Sequence, residues 1–233
     1  MNKTFNYYVS VIKAILYVAL YYISLVGGIY IIGFVNIGIE PIEDVFRIGK
    51  SIVSVQSPWM LMLNLLIFMV IFSFFIKEKI KHKDWYAFEQ IPFISKLYLI
   101  IIAFVLNIVV SKIVTYLCYS DAETITETIK NLGDLYPVIL VINTGFIVPI
   151  LEELLFRFLI FNSLEPLGFT LATVFSSVLF GIMHGILSQI IYAIIFGIIF
   201  CFTNKTFKSI RPSIIMHCAI NIITVSLVLL KGG

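Results

Sequence analysis

Residues 148–161, VPILEELLFRFLIF, set Glu152, Glu153 and Arg157 inside a run that is otherwise apolar. Whether that run belongs to a soluble core or to lipid is decided by the chain around it. Of 233 residues, 61% are hydrophobic and only 12% are charged, and the mean hydropathy is +1.07. A soluble domain carries roughly 45–50% apolar and about 25% charged residues. This chain has too little polar surface to cover an apolar core, so it reads as an all-α, polytopic bundle of transmembrane helices. The net charge of +3 is small and no basic, aromatic-laced stripe occurs, so nucleic acid is not an expected partner. Three widely spaced cysteines, Cys118, Cys201 and Cys218, form no CxxC, which argues against a disulfide framework and a thiolate metal site. The first apolar run is long and no small-residue cleavage pattern follows it, so it reads as a retained span.

A helix needs about 20 apolar residues to cross the hydrocarbon. Seven candidates are expected, at roughly 7–34, 58–76, 92–118, 137–162, 169–184, 187–203 and 212–230. No repeat is visible, so the chain is expected to be one membrane domain over 1–233, with N-terminal spans in 1–118 and the polar motifs in 137–230. The loop at 77–90 holds Lys77, Lys79, Lys81 and Lys83, and the loop at 204–211 holds Lys205, Lys208 and Arg211. The loop at 119–136 is acidic, with Asp121, Glu123, Glu127 and Asp134. Lysine and arginine concentrate on cytoplasmic loops. Seven spans in the cell membrane with a cytoplasmic N-terminus satisfy all three loops. The stretch 38–56 is expected to lie on the outer surface as a short amphipathic helix.

Charges inside spans cost a few kcal/mol and usually mark function. Lys13, Lys96 and Lys112 fall near span ends, where long stems can snorkel to the headgroups. Glu152, Glu153, Arg157, His184 and His217 lie deeper. At about 100° per residue, Glu153 and Arg157 share a face and can pair, acid before base. Glu152 points elsewhere and is left as a free carboxyl. Pro149, just before the glutamates, is expected to kink the helix and free a carbonyl near the site. Phe180 and His184 are one turn apart, as are His217 and Asn221. Polar groups cannot be left facing lipid, so the three spans are expected to turn these side chains toward one small wet cavity. Counted from the loops, the cavity is expected to open to the cytoplasmic half.

A carboxyl and an imidazole on one water make a general-base arrangement. A second imidazole and an amide can donate hydrogen bonds to an oxyanion. That set suits peptide hydrolysis by activated water. Neither GxSxG nor HExxH occurs, so serine nucleophile and zinc readings have little support.

The order E152-E153-x-x-x-R157, F180-x-x-x-H184 and H217-x-x-x-N221 resembles the CPBP intramembrane endopeptidases, the relatives of the CAAX prenyl endopeptidase also called the Abi family. The motifs cover Glu152 to Asn221, and the first half resembles the family only in spanning a membrane. The resemblance implies that Glu152 and His184 activate the water, that His217 and Asn221 form the oxyanion hole, and that Glu153 and Arg157 support the site. The family was first described as metalloproteases and later as glutamic proteases; the expectation here is no cofactor, with a divalent metal not favoured. The implied partners are a membrane-associated peptide or protein substrate and the lipid bilayer. In a bacterium the implied setting is bacteriocin or pheromone processing, or self-immunity. The rival readings are a non-catalytic membrane scaffold or immunity protein of the same fold and a small proton-coupled transporter. The transporter reading lacks the internal repeat expected of that class.

Overall fold

The computed structural model describes residues 3–37, 41–45, 47, 50, 58–81, 90–118 and 137–232. Seven long helical stretches stand among these residues: α1 (Lys3–Ile37), α2 (Pro58–Lys81), α3 (Phe93–Leu117), α4 (Pro137–Leu167), α5 (Phe169–Ile182), α6 (Leu187–Phe207) and α7 (Arg211–Gly232). Six are long and apolar enough to cross a membrane, and α5 is not. The protein is thus a multi-pass membrane protein. The acidic loop at 119–136 and most of the expected surface helix at 38–56 lie outside the described residues; within the latter, residues 42–45 are helical.

The span expected at 169–184 forms as a helix and is the shortest of the seven. As a helix of 14 residues, α5 rises only about 21 Å, against roughly 30 Å of hydrocarbon. It ends where the chain needs a left-handed residue. Gly185 has φ of 75°, and the His184 and Gly185 N–H groups bond back to Gly181 O and Ile182 O. Only glycine takes that conformation without a Cβ penalty. The chain then reverses at once into α6.

Contacts fix the relative directions. Lys13 near the start of α1 pairs with Glu78 near the end of α2 at 3.4 Å. Asn64 donates to Asn143 at 3.0 Å, and the Phe75 and Phe158 rings lie 4.5 Å apart, so α2 and α4 run parallel. Lys205 stands 3.8 Å over the Phe169 ring, so α5 and α6 are antiparallel. Asn107 donates to Thr224 at 3.3 Å, where α3 and α7 run side by side. The start of α1, the end of α2, and the starts of α3, α5 and α7 therefore share one end of the bundle with the end of α6. That end carries Lys79, Lys81, Lys205 and Lys208. Lys13, expected only to snorkel, is instead half of an interhelical ion pair with a buried acid.

α4 is the axial helix. Every residue from Glu153 to Ile160 is buried. Its neighbours are Phe75 of α2, Phe180 of α5 and His217 of α7. A helix surrounded by other helices can carry charge that lipid would not accept. Elsewhere the pattern inverts: Ile12, Ile15, Leu16, Ile101 and Phe175 are exposed, as expected of faces turned to hydrocarbon.

Candidate active site

α4 is not a uniform α-helix. Asn143–Ile147 and Glu153–Ile160 wind as π-helix, a form that appears mostly as short bulges and often at functional sites. The first bulge has a local cause and a consequence. The Val148 N–H reaches back to Asn143 O, so it no longer serves Thr144 O. The next donor in the wider ladder would be residue 149, which is proline and has no N–H. Thr144 O is thereby released from the helix, and Asn221 Nδ2 donates to it at 2.9 Å. The expectation that Pro149 frees a carbonyl near the site is met at this atom. Gly145 lets α7 come close enough, since a Cβ there would lie 2.8 Å from Ile222 Cγ1.

The second bulge carries the charges. Glu153 Oε2 lies 3.5 Å from Arg157 Nε, with both side chains buried. The pair expected from four-residue spacing forms, although the assumed 100° step does not hold across this stretch. Arg157 Cζ lies 4.1 Å from the Phe180 ring centroid and 5.5 Å from that of Phe200. Its N–H groups make no hydrogen bond within the described residues, so aromatic faces and the Glu153 charge are what stabilise the cation there. The Phe180 ring also meets His217 at 5.8 Å and His184 at 4.9 Å.

His217 joins both glutamates. Its Nδ1 lies 3.0 Å from Glu153 Oε1, and its Nε2 lies 3.6 Å from Glu152 Oε2. The Arg157-paired Glu153 carboxylate accepts, so Nδ1 carries a hydrogen and Nε2 is the atom turned to Glu152. His184 Nδ1 lies 2.9 Å from Phe180 O. A carbonyl can only accept, so this Nδ1 also carries a hydrogen. In the neutral ring, Nε2 then presents a lone pair. The side chain that Glu152 meets directly is thus His217 rather than His184.

Glu152, His184, His217 and Asn221 all line one cavity of about 490 Å³. The rest of its lining comes from late α3, early α4, early α6 and mid α7, including Asn107, Thr144, Ser188 and Tyr192. Those stretches lie in the half of the bundle away from Lys79, Lys81 and Lys205. A cavity opening to the cytoplasmic half and a cytoplasmic lysine-rich end, both expected from the sequence, therefore do not hold together; the turn after the short α5 is what brings His184 to this cavity. Three side chains that the sequence motifs did not flag extend the site. Tyr192 donates to Asn107 Oδ1 at 2.6 Å, and Ser111 donates to the same atom at 3.2 Å. Their only sequence signal was polarity inside an apolar span.

Among the described residues no group of three or more His, Cys, Asp or Glu side chains is placed to hold a metal ion. Residues 134–223 match the family model described as Type II CAAX prenyl endopeptidase Rce1-like. That match supports membership of the CPBP family. It spans α4 to α7 and so covers every residue of the three motifs, while α1 to α3 lie outside it. It supports a membrane protease at the coarse level. No curated protein and no solved structure matches the chain.

Proposed function

We propose that this CPBP protein is an intramembrane endopeptidase of the glutamic type, cleaving a membrane-associated peptide or protein. The observation that supports it is the convergence of Glu152 from α4, His184 from the α5–α6 turn, and His217 and Asn221 from α7 on one cavity. The starting state of the proposed reaction has Glu152 and Glu153 anionic and Arg157 and His217 cationic, so the four charges sum to zero. Glu152 removes a proton from a water that also donates to His184 Nε2. The water oxygen attacks the peptide carbonyl. The oxyanion accepts from His217 Nε2–H and from the Asn221 amide hydrogen not used on Thr144 O. Collapse breaks the C–N bond, and the proton on Glu152 passes to the departing amine. Glu153 and Arg157 hold His217 in its donor form. Removing one oxyanion donor from such a site lowers the rate about 10²–10³-fold.

The setting we propose is leader or propeptide processing of a bacteriocin or pheromone, or self-immunity, at the cell membrane. The test uses purified protein in vesicles with a library of quenched fluorogenic apolar peptides. Wild type is expected to release fluorescence from a subset, and Glu152→Gln from none, with equal helicity for both. Equal release by the two proteins removes Glu152 from the chemistry. Release by neither would favour the scaffold reading.

A further inference from the structure

Glu153 has one carboxylate oxygen to spare. Its Oε1 faces His217 Nδ1 at 3.0 Å. Its Oε2 has Arg157 Nε at 3.5 Å, beyond the roughly 2.7–3.2 Å of an N–H···O bond. No hydrogen bond reaches Oε2 within the described residues, although the side chain is fully buried. A buried carboxylate oxygen without a donor is costly. α7 brings a donor to this acid: the Ser213 hydroxyl faces the Glu153 carboxylate. Ser213 stands four residues before His217, so the two side chains leave α7 on one face and meet the same glutamate. The position of the hydroxyl is fixed from α6. Asn204 Nδ2 donates to Ser213 Oγ at 2.8 Å, and the Ser213 N–H donates to Asn204 Oδ1 at 3.1 Å. Both residues are buried. With Oγ accepting from Asn204, its own hydrogen must go to an acceptor. Ile210 O lies 3.0 Å away, but that carbonyl already accepts the Ile214 N–H at 3.2 Å. A hydroxyl hydrogen rotates to suit its partners, and a carboxylate is a stronger acceptor than a carbonyl already in use.

Resting on the protease reading above, we propose that Ser213, clamped by Asn204, is a positioning residue whose hydroxyl donates to Glu153 and so fixes the carboxylate that holds His217. The relay runs from Asn204 through Ser213 and Glu153 to His217, from the turn between α6 and α7 to the cavity. Arg157 supplies the charge beside Glu153, and Ser213 supplies the short hydrogen bond that the guanidinium is too distant to make. Without it the carboxylate is free to turn about its last torsion, and the His217 ring turns with it. Neither Ser213 nor Asn204 lines the cavity, so neither touches substrate. Their loss is therefore expected in turnover and not in substrate binding.

The experiment compares Ser213→Thr with Ser213→Val in the purified full chain, in neutral detergent, on a fluorogenic peptide that the wild type cleaves. Both variants add the same bulk at a buried site, and only threonine keeps the hydroxyl. Threonine is expected to keep kcat near wild type. Valine is expected to lower kcat about tenfold, the scale of one hydrogen bond to a charged group, with KM unchanged. Should the added methyl prevent folding, Ser213→Ala against wild type carries the same comparison, with the same loss expected. Equal kcat with and without the hydroxyl overturns the proposal, as does a loss confined to KM. A second reading needs no cleavage. Ser213→Ala is made in wild type and in Glu153→Gln/Arg157→Met, and unfolding is followed in mixed micelles titrated with dodecyl sulfate. The shift in midpoint is expected to be smaller in the second background, because a neutral amide accepts roughly half as strongly as a carboxylate. The same shift in both backgrounds makes Ser213 a brace for the turn alone and overturns the proposal too. Unequal shifts without cleavage by wild type end the protease and leave the Ser213–Glu153 contact. Cleavage that ignores the hydroxyl ends the positioning role and leaves the protease.

Discussion

Replacing Arg157 by Met tests the charge network most sharply. The side chain is buried, 3.5 Å from Glu153 and stacked over Phe180 at 4.1 Å. Its removal leaves a buried carboxylate facing His217 and Ser213 with no fixed positive charge beside it. Breaking a buried pair from one side costs about 3–5 kcal/mol, and the desolvated ring contact accounts for about 2 kcal/mol of such an effect. Glu153→Gln strands the guanidinium and is expected to cost a similar amount. The double variant Glu153→Gln/Arg157→Met removes both charges at nearly constant volume, and such replacements are often neutral. It should recover to within about 2 kcal/mol of wild type, a coupling well above the limit expected for independent sites. Unfolding in mixed micelles titrated with dodecyl sulfate, followed by circular dichroism, gives the four corners of the cycle. Peptide cleavage should stay low in the double variant, because an amide holds the His217 imidazolium less well than a carboxylate. Strictly additive losses would show that the two charges do not act as a pair, and full activity in the double variant would show that the pair does not hold His217 for the reaction.

Other outcomes follow from neighbouring contacts. Pro149→Ala supplies an N–H that can bond Thr144 O in place of Asn221, so it should leave thermal stability equal or higher while cleavage falls about tenfold or more; in an Asn221→Ala background the same change should add little. Gly145→Ala drives a Cβ to 2.8 Å from Ile222 Cγ1 and should cost about 1–3 kcal/mol by thermal unfolding, with partial recovery on Ile222→Ala. With the N-terminus cytoplasmic, Cys118 should react from outside intact cells with a membrane-impermeant maleimide. Cys201 and Cys218 are buried and should stay unlabelled until the protein is denatured.

The sequence carried the bundle and the residue set because both rest on local signals. Apolar runs give spans without any knowledge of packing, and a charge in such a run must face protein, which is where Glu153 and Arg157 stand. Four-residue spacing put Asn221 on the His217 face, and both line the cavity. What was not legible depends on the third dimension. The apolar count at 169–184 could not reveal that Gly185, with φ of 75°, reverses the chain and brings His184 to the cavity. The π-bulges change the angular step along α4, so a face assigned at 100° per residue could not show His217 bridging Glu152 and Glu153. Asn107, Tyr192 and Ser188 each look like isolated polar residues in a span; only the packing of α3, α6 and α7 brings them to one cavity.

Membrane peptidomes from cells carrying wild type, Glu152→Gln and His184→Ala at equal protein levels separate proteolysis from a structural role. A short peptide or precursor trimmed only by wild type is the predicted result, and it names the substrate. Identical peptidomes and phenotypes across the three would rule out proteolysis at this site and make the buried cluster a structural one.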